Sequence, residues 1–224
     1  MRMYKNKTPL RAVCLALSLV LSAAAVLCFA GCGGKTSEIS MDDIAAEINS
    51  RKTDDFEESD SATEYVRITV KDHGDIVLRL RADIAPTTVQ NFQKLVSEKF
   101  YDGLTFHRVI PDFMIQGGDP NGNGTGSTDA IKGEMTNNGF ENNLKHIRGV
   151  LSMARRGGSY DSGSCQFFIC NTDCPHLNDE YATFGYVVAG METVDSISAV
   201  ATSASNNKPL EDVVMEKVCF VKLK

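Results

Sequence analysis

From Tyr65 to the C-terminus the chain is written as short apolar runs separated by Gly, Asn and Asp, and this constrains its fold more than any other feature. YVRITVK (65–71) alternates apolar and polar residues, KDHGD (71–75) offers a turn, and DIVLRLRAD (75–83) alternates again. Neighbouring side chains of a strand point to opposite faces, so this pattern predicts a hairpin with one buried face. LTFHRVI, FMIQG, GVLSMA, CQFFIC, ATFGYVVAG and VVMEKVCFVKL are further strand-like runs. APTTVQNFQKLVSEK (85–99) instead places Val89, Phe92, Leu95 and Val96 on one helical face, with Pro86 suited to the first turn. METVDSI (191–197) predicts a second, shorter helix. Many short strands with two helices imply a mainly β protein, an antiparallel barrel or sandwich. Closure into a barrel would remove exposed edges.

The first residues read differently. Arg2, Lys5, Lys7 and Arg11 precede an uncharged stretch from Ala12 to Gly31. A basic flank before an apolar segment has the form of a secretory signal. The stretch ends FAGC (29–32), small residues before a cysteine, which resembles a bacterial lipobox with Cys32 as the lipidated residue. Phe29 departs from the leucine most common at that position. An uncleaved membrane helix is the alternative, since about 20 apolar residues span a bilayer. Both place the remainder outside the cytoplasm, lipid-anchored or otherwise membrane-held. Residues 1–31 hold four of the 23 basic residues and none of the 29 acidic ones, which leaves a net charge of −10 on the rest. Such a chain has no electrostatic reason to bind nucleic acid. Residues 32–63 read as an acidic, flexible tether: DDFEESDSATE (54–64) has few core-building residues and should stay solvated. Within it SMDDIAAEINSRK predicts a marginal helix, with Ser40 as N-cap and Asp43 completing a capping box. The folded domain is expected over residues 64–224.

Several chemistries are excluded by spacing. GGDPNGNGTGS (117–127) lacks the Gly-Lys-Ser/Thr end of a phosphate loop. GGSYD lacks G-x-S-x-G. Cys165, Cys170, Cys174 and His176 offer zinc-type ligands, but Cys165 and Cys170 are five apart on an expected strand and point to opposite faces. No metal or cofactor is therefore expected. A Cys170–Cys174 disulfide stays open beside plain buried thiols. The four histidines (73, 107, 146, 176) are scattered, and His107 reads as a structural hydrogen-bonder rather than a base.

FHRVIPDFMIQGGD (106–119) mixes an arginine and a glutamine with six large apolar residues before two glycines. That is the make-up of an apolar pocket with a few placed polar groups. With LSMA, QFFI and HLNDEYATFG following in order, the chain resembles the cyclophilin family of peptidyl-prolyl cis/trans isomerases over roughly residues 64–224. The resemblance implies a closed eight-stranded antiparallel β-barrel capped by two helices. It implies a catalytic set of Arg108, Phe113 and Gln116, and proline-pocket walls from Met114, Phe168 and Leu177. Ala154 and Gln166 would belong to an adjoining groove. His176 stands where the best-known members carry tryptophan, and Tyr181 where they carry histidine, which puts cyclosporin binding in doubt. Arg155 replaces an asparagine. The expected partners are proline-containing unfolded or flexible polypeptides, with the protein itself a monomer. The alternatives are a weakly active module that grips proline segments, or a chaperone.

Overall fold

The computed structural model describes residues 40–224. The described residues belong to one compact unit. It contains nine strands, β1 (Phe56–Glu58), β2 (Tyr65–Val70), β3 (Gly74–Leu80), β4 (Arg108–Ile110), β5 (Met114–Gly117), β6 (Val150–Met153), β7 (Phe167–Cys170), β8 (Thr183–Ala189) and β9 (Met215–Leu223). Three α-helices accompany them: α1 (Met41–Glu47), α2 (Pro86–Ser97) and α3 (Met191–Ser198). The hairpin β2–β3 and both expected helices stand where the periodicity put them.

All nine strands join one antiparallel sheet in the order β1-β9-β2-β3-β8-β6-β7-β5-β4. This corrects the expected closed, eight-stranded barrel. The ladder ends at β4. The segment before β4 meets the chain entering β9 through a bridge, Thr105 to Val214, and through backbone bonds that join Gly103 and Leu104 to Met215 and Phe106 to Val213. Past Phe106 the backbone turns to other partners: Val109 N donates to the carbonyl of Asn207, in the loop before β9.

The inward row of each strand builds the core. Ile68, Ile76, Leu78, Val109, Ile115, Leu151 and Ile169 are fully buried. Phe92 of α2 lies within 5.5 Å, centroid to centroid, of Tyr101, Phe167 and Phe184, so the helix covers the sheet through aromatic edges and faces. Ala85 cannot cap α2 with a side chain. Glu134 does so from 47 residues away: its carboxylate accepts from Thr87 N at 2.9 Å and Thr88 N at 2.8 Å. The charge sits at the positive end of the helix dipole, which offsets the cost of its burial.

The tether expectation fails for the described residues 40–63. The Ser40 capping box forms, with Asp43 N 3.1 Å from Ser40 Oγ and Ser40 N 3.3 Å from Asp43 Oδ2. Ile44 and Phe56 are each 2 % exposed. Ile44 packs with Leu144 and Tyr186, and the Phe56 ring lies 5.2 Å from Tyr65. Glu47 accepts from Arg79 Nη1 at 2.7 Å and from the Tyr186 hydroxyl at 2.6 Å. β1 then pairs with β9, where Glu58 and Glu57 meet Lys217 and Lys222. The apolar residues here are few and far apart, yet each finds its own slot, and the acidic run is matched by lysines of β9. The marginal helix is thus a docked part of the fold.

Candidate active site

The pairing register of four strands sets the site. Arg108 stands opposite Gln116, Gln116 opposite Phe168, and Phe168 opposite Ser152. Strand alternation sends their neighbours Val109, Ile115, Ile169 and Leu151 into the core and leaves this row on the other face. The polar members are chained. Arg108 Nη1 donates to Gln116 Oε1 at 3.1 Å, Gln116 Nε2 to Gln166 Oε1 at 2.9 Å, and Gln166 Nε2 to the Gly126 carbonyl at 2.8 Å. Bonds at three successive side chains hold the guanidinium in one direction, so little order has to be imposed on it when a substrate arrives.

Beside Arg108 and Gln116 lies a cavity of about 130 Å³, walled by Phe113, Met114, Phe168, Leu177 and Tyr181, with Ala154 and Arg155 at one side. Met114, Phe168 and Leu177 are 1, 5 and 9 % exposed. Phe113 enters from a tight turn in which Asp112 has φ 54°, and its carbonyl accepts from Asn171 N at 3.0 Å. His176 stands outside this lining, with its ring 5.4 Å from that of Phe113. Gln166 lines a neighbouring cavity of about 400 Å³ together with Gly124, Gly126, Ser127 and Ser162. The two glycines closing the motif have a steric reason. Gly118 has φ +83°, and a Cβ there would lie 2.5 Å from the Cys165 carbonyl oxygen.

The glycine-rich loop is the wall of the larger cavity. Asp119, 1 % exposed, accepts from the amides of Asn121, Asn123 and Gly124. Burial pushes its carboxyl up, but these amides outweigh it and hold it below the usual range. His107 is 4 % exposed, and burial lowers its pKa, so beside Arg108 it is a neutral core group. Cys165 belongs to the main core, whereas Cys170 and Cys174 sit under the pocket with Met114 and Phe168. The zinc-type set is therefore split between two clusters. Cys170 and Cys174 are free thiols.

Two site residues take roles that the sequence alone did not assign. His146, 2 % exposed, stacks on Phe168 at 5.9 Å and 12°. Its Nε2 is 3.0 Å from Ser152 Oγ and its Nδ1 3.2 Å from Asn178 Oδ1. Burial lowers its pKa to about 4, so at neutral pH an uncharged imidazole backs the pocket wall. Arg155 is the other, wedged between two tyrosines. Neither carries a local signal: His146 is 22 residues from Phe168, and only the fold joins them.

A family model for cyclophilin type peptidyl-prolyl cis-trans isomerase matches residues 65–219, which spans β2 to the first half of β9 and the whole of this site. The chain belongs to the cyclophilin family. It is 41 % identical over 145 residues to a peptidyl-prolyl cis-trans isomerase of Schizosaccharomyces pombe, covering 64 % of this chain and 91 % of that one. It is 42 % identical over 154 residues to a peptidyl-prolyl cis-trans isomerase-like 2 of Aspergillus oryzae, covering 66 % of this chain but only 26 % of that longer protein. A Cryptosporidium parvum cyclophilin crystallised in the presence of the dipeptide Ala-Pro superimposes with a TM-score of 0.64 at 30 % identity, over 70 % of this chain and 98 % of that one. As a cyclophilin, the chain differs from a bare domain by α1 and β1, which lie ahead of the matched region.

Proposed function

We propose that this cyclophilin accelerates cis/trans rotation of X-Pro bonds in exported or cell-surface polypeptides. The carrying observation is the bonded series Arg108–Gln116–Gln166 at the mouth of an apolar cavity walled by Phe113, Met114 and Phe168. The Ala-Pro dipeptide present with the Cryptosporidium parvum relative fits the same reading.

The chemistry needs little more than this. Resonance gives the peptide bond a rotation barrier of about 18–20 kcal/mol. Before proline the two isomers are close in energy, yet they exchange over tens to hundreds of seconds. In the twisted state resonance is lost, and the prolyl nitrogen becomes pyramidal with a lone pair. Arg108, a permanent donor, supplies a hydrogen bond to that nitrogen. The twisted bond is less polar than the planar one, so the water-poor pocket favours it. Gln116 holds the backbone on one side of the proline while the other side turns. Each 1.36 kcal/mol of differential stabilisation gives about tenfold in rate.

The site is proposed to act outside the cytoplasm, on a chain tethered through a lipid at Cys32. Cys32 lies outside the described residues. The test of function is exchange in a short Ala-Pro peptide, followed by NMR with the full chain. Acceleration supports the isomerase. Binding of the peptide without acceleration would make the protein a proline-segment binding module instead.

A further inference from the structure

The small pocket and its larger neighbour share a wall, and Arg155 stands in it. Its guanidinium carbon lies 4.7 Å from the ring centroid of Tyr160 and 4.7 Å from that of Tyr181. A guanidinium over an aromatic face is drawn to the ring's negative π-cloud. The group is also tied by its nitrogens. Nε donates to the Glu180 carbonyl at 2.8 Å, and Nη2 to Glu180 Oε2 at 2.8 Å. The other carboxylate oxygen of Glu180 accepts from Asn137 Nδ2 and from the Tyr160 hydroxyl. The Arg155 side chain is 9 % exposed. Its charge is therefore already matched within the protein, and it is not a free cation offered to a substrate. A solubilising surface arginine would be extended into water.

The position of the clamp gives it a use. Tyr181 lies in an irregular stretch just after Asp179, whose φ is +66°, and before β8 begins at Thr183. No strand ladder fixes it there. Its ring meets Phe168 edge to face, at 5.7 Å and 85°, and both rings wall the small cavity. Tyr160, Arg155, Tyr181 and Phe168 thus form one packed series that runs from a surface turn to the pocket.

We infer that Arg155 is a positioning residue for the isomerase: by stacking on Tyr181 it holds one wall of the proline pocket in place and so sets the affinity for substrate. This rests on the cavity between Phe113 and Phe168 being the site for the prolyl ring. A wall ordered before binding lowers the ordering cost at binding, and the gain is in affinity. The turning bond itself is served by Arg108, so the rate at saturation should be nearly independent of Arg155.

The test uses the full chain and four variants: Arg155→Ala, Arg155→Lys, Tyr181→Leu, and Arg155→Ala with Tyr181→Leu. kcat and KM for an Ala-Pro peptide and the thermal midpoint are measured for each. Arg155→Ala is expected to raise KM about tenfold, with kcat changed less than about twofold. Arg155→Lys keeps the charge but loses the planar fork, so its KM should fall between wild type and Ala. This milder change also keeps the test usable if the alanine variant folds poorly. In the Tyr181→Leu background, Arg155→Ala should add almost nothing to KM. An unchanged KM in Arg155→Ala overturns the inference. So does an equal KM effect in both backgrounds, which would mean Arg155 does not act through Tyr181. If Tyr181→Leu leaves KM untouched, the pocket assignment itself fails, and the inference with it.

Discussion

Acidification should cost this protein stability through one buried histidine. In the folded state His146 is sealed behind Phe168, and burial lowers its pKa from 6.5 to about 4. In the unfolded chain it returns to the ordinary value. Between these two pH values the unfolded state binds a proton that the folded state does not. Stability therefore rises with pH across this window: the contribution is full above about pH 6.5 and is lost as pH falls towards 4. At about 1.4 kcal/mol per pH unit the gap amounts to roughly 3 kcal/mol, a large part of the stability of a typical domain. The groups around the ring do not reverse the sign: Asn178 and Asp179 favour the charged form, while His176 and Lys145 oppose it, and burial is the largest cause. The assay is urea unfolding by circular dichroism at pH 7, 6, 5 and 4, for wild type and His146→Gln. Carboxylates held low, such as Asp119 and Asp83, are common to both proteins and largely cancel in the difference. The wild-type advantage over His146→Gln should shrink by up to about 3 kcal/mol from pH 7 to pH 4. A difference that stays constant across that range refutes the buried neutral imidazole.

Two further outcomes are expected. Phe56→Ala removes a ring that is 2 % exposed, and should cost about 3 kcal/mol in urea unfolding without changing the kcat of the folded protein; a loss near zero would show that β1 is not part of the stable fold. Cys32→Ser should move the protein from the membrane fraction to the soluble one, as followed by immunoblot; unchanged membrane association would favour the uncleaved helix over the lipid.

Much of the fold was legible because alternation in strands such as β2 and β3 is local and repeats over six or seven residues. The amphipathic spacing of α2 is equally local. β1 escaped because FEE has one apolar residue, and its pairing with β9 depends on a partner more than 160 residues away. The Glu134 cap and the His146–Phe168 stack are likewise products of register, not of pattern. The open ladder escaped for a related reason: whether Val109 bonds a strand or the loop at Asn207 is decided by the path of residues 199–214. At the site, Arg108, Phe113, Met114, Gln116, Phe168 and Leu177 were readable because motif order placed them together, and the β4–β5–β7 register accounts for that order physically. His176 and Gln166 stand beside the cavity, a distinction that depends on side-chain direction. Arg155 was visible only as a departure from the family pattern, and its role became apparent once Tyr160 and Tyr181 were seen on either side of it.

The most direct test of the central claim is the catalysed exchange rate of an Ala-Pro peptide with Arg108→Ala, measured against wild type by NMR exchange and paired with a circular dichroism spectrum of each. The Arg108 side chain reaches Gln116 from the partly exposed face of β4, so its loss should leave the fold intact. Removing one charged hydrogen bond to the twisted prolyl nitrogen should lower kcat/KM by roughly 100-fold, at about 1.36 kcal/mol per factor of ten. A folded Arg108→Ala protein that turns over the peptide at the wild-type rate would contradict the account.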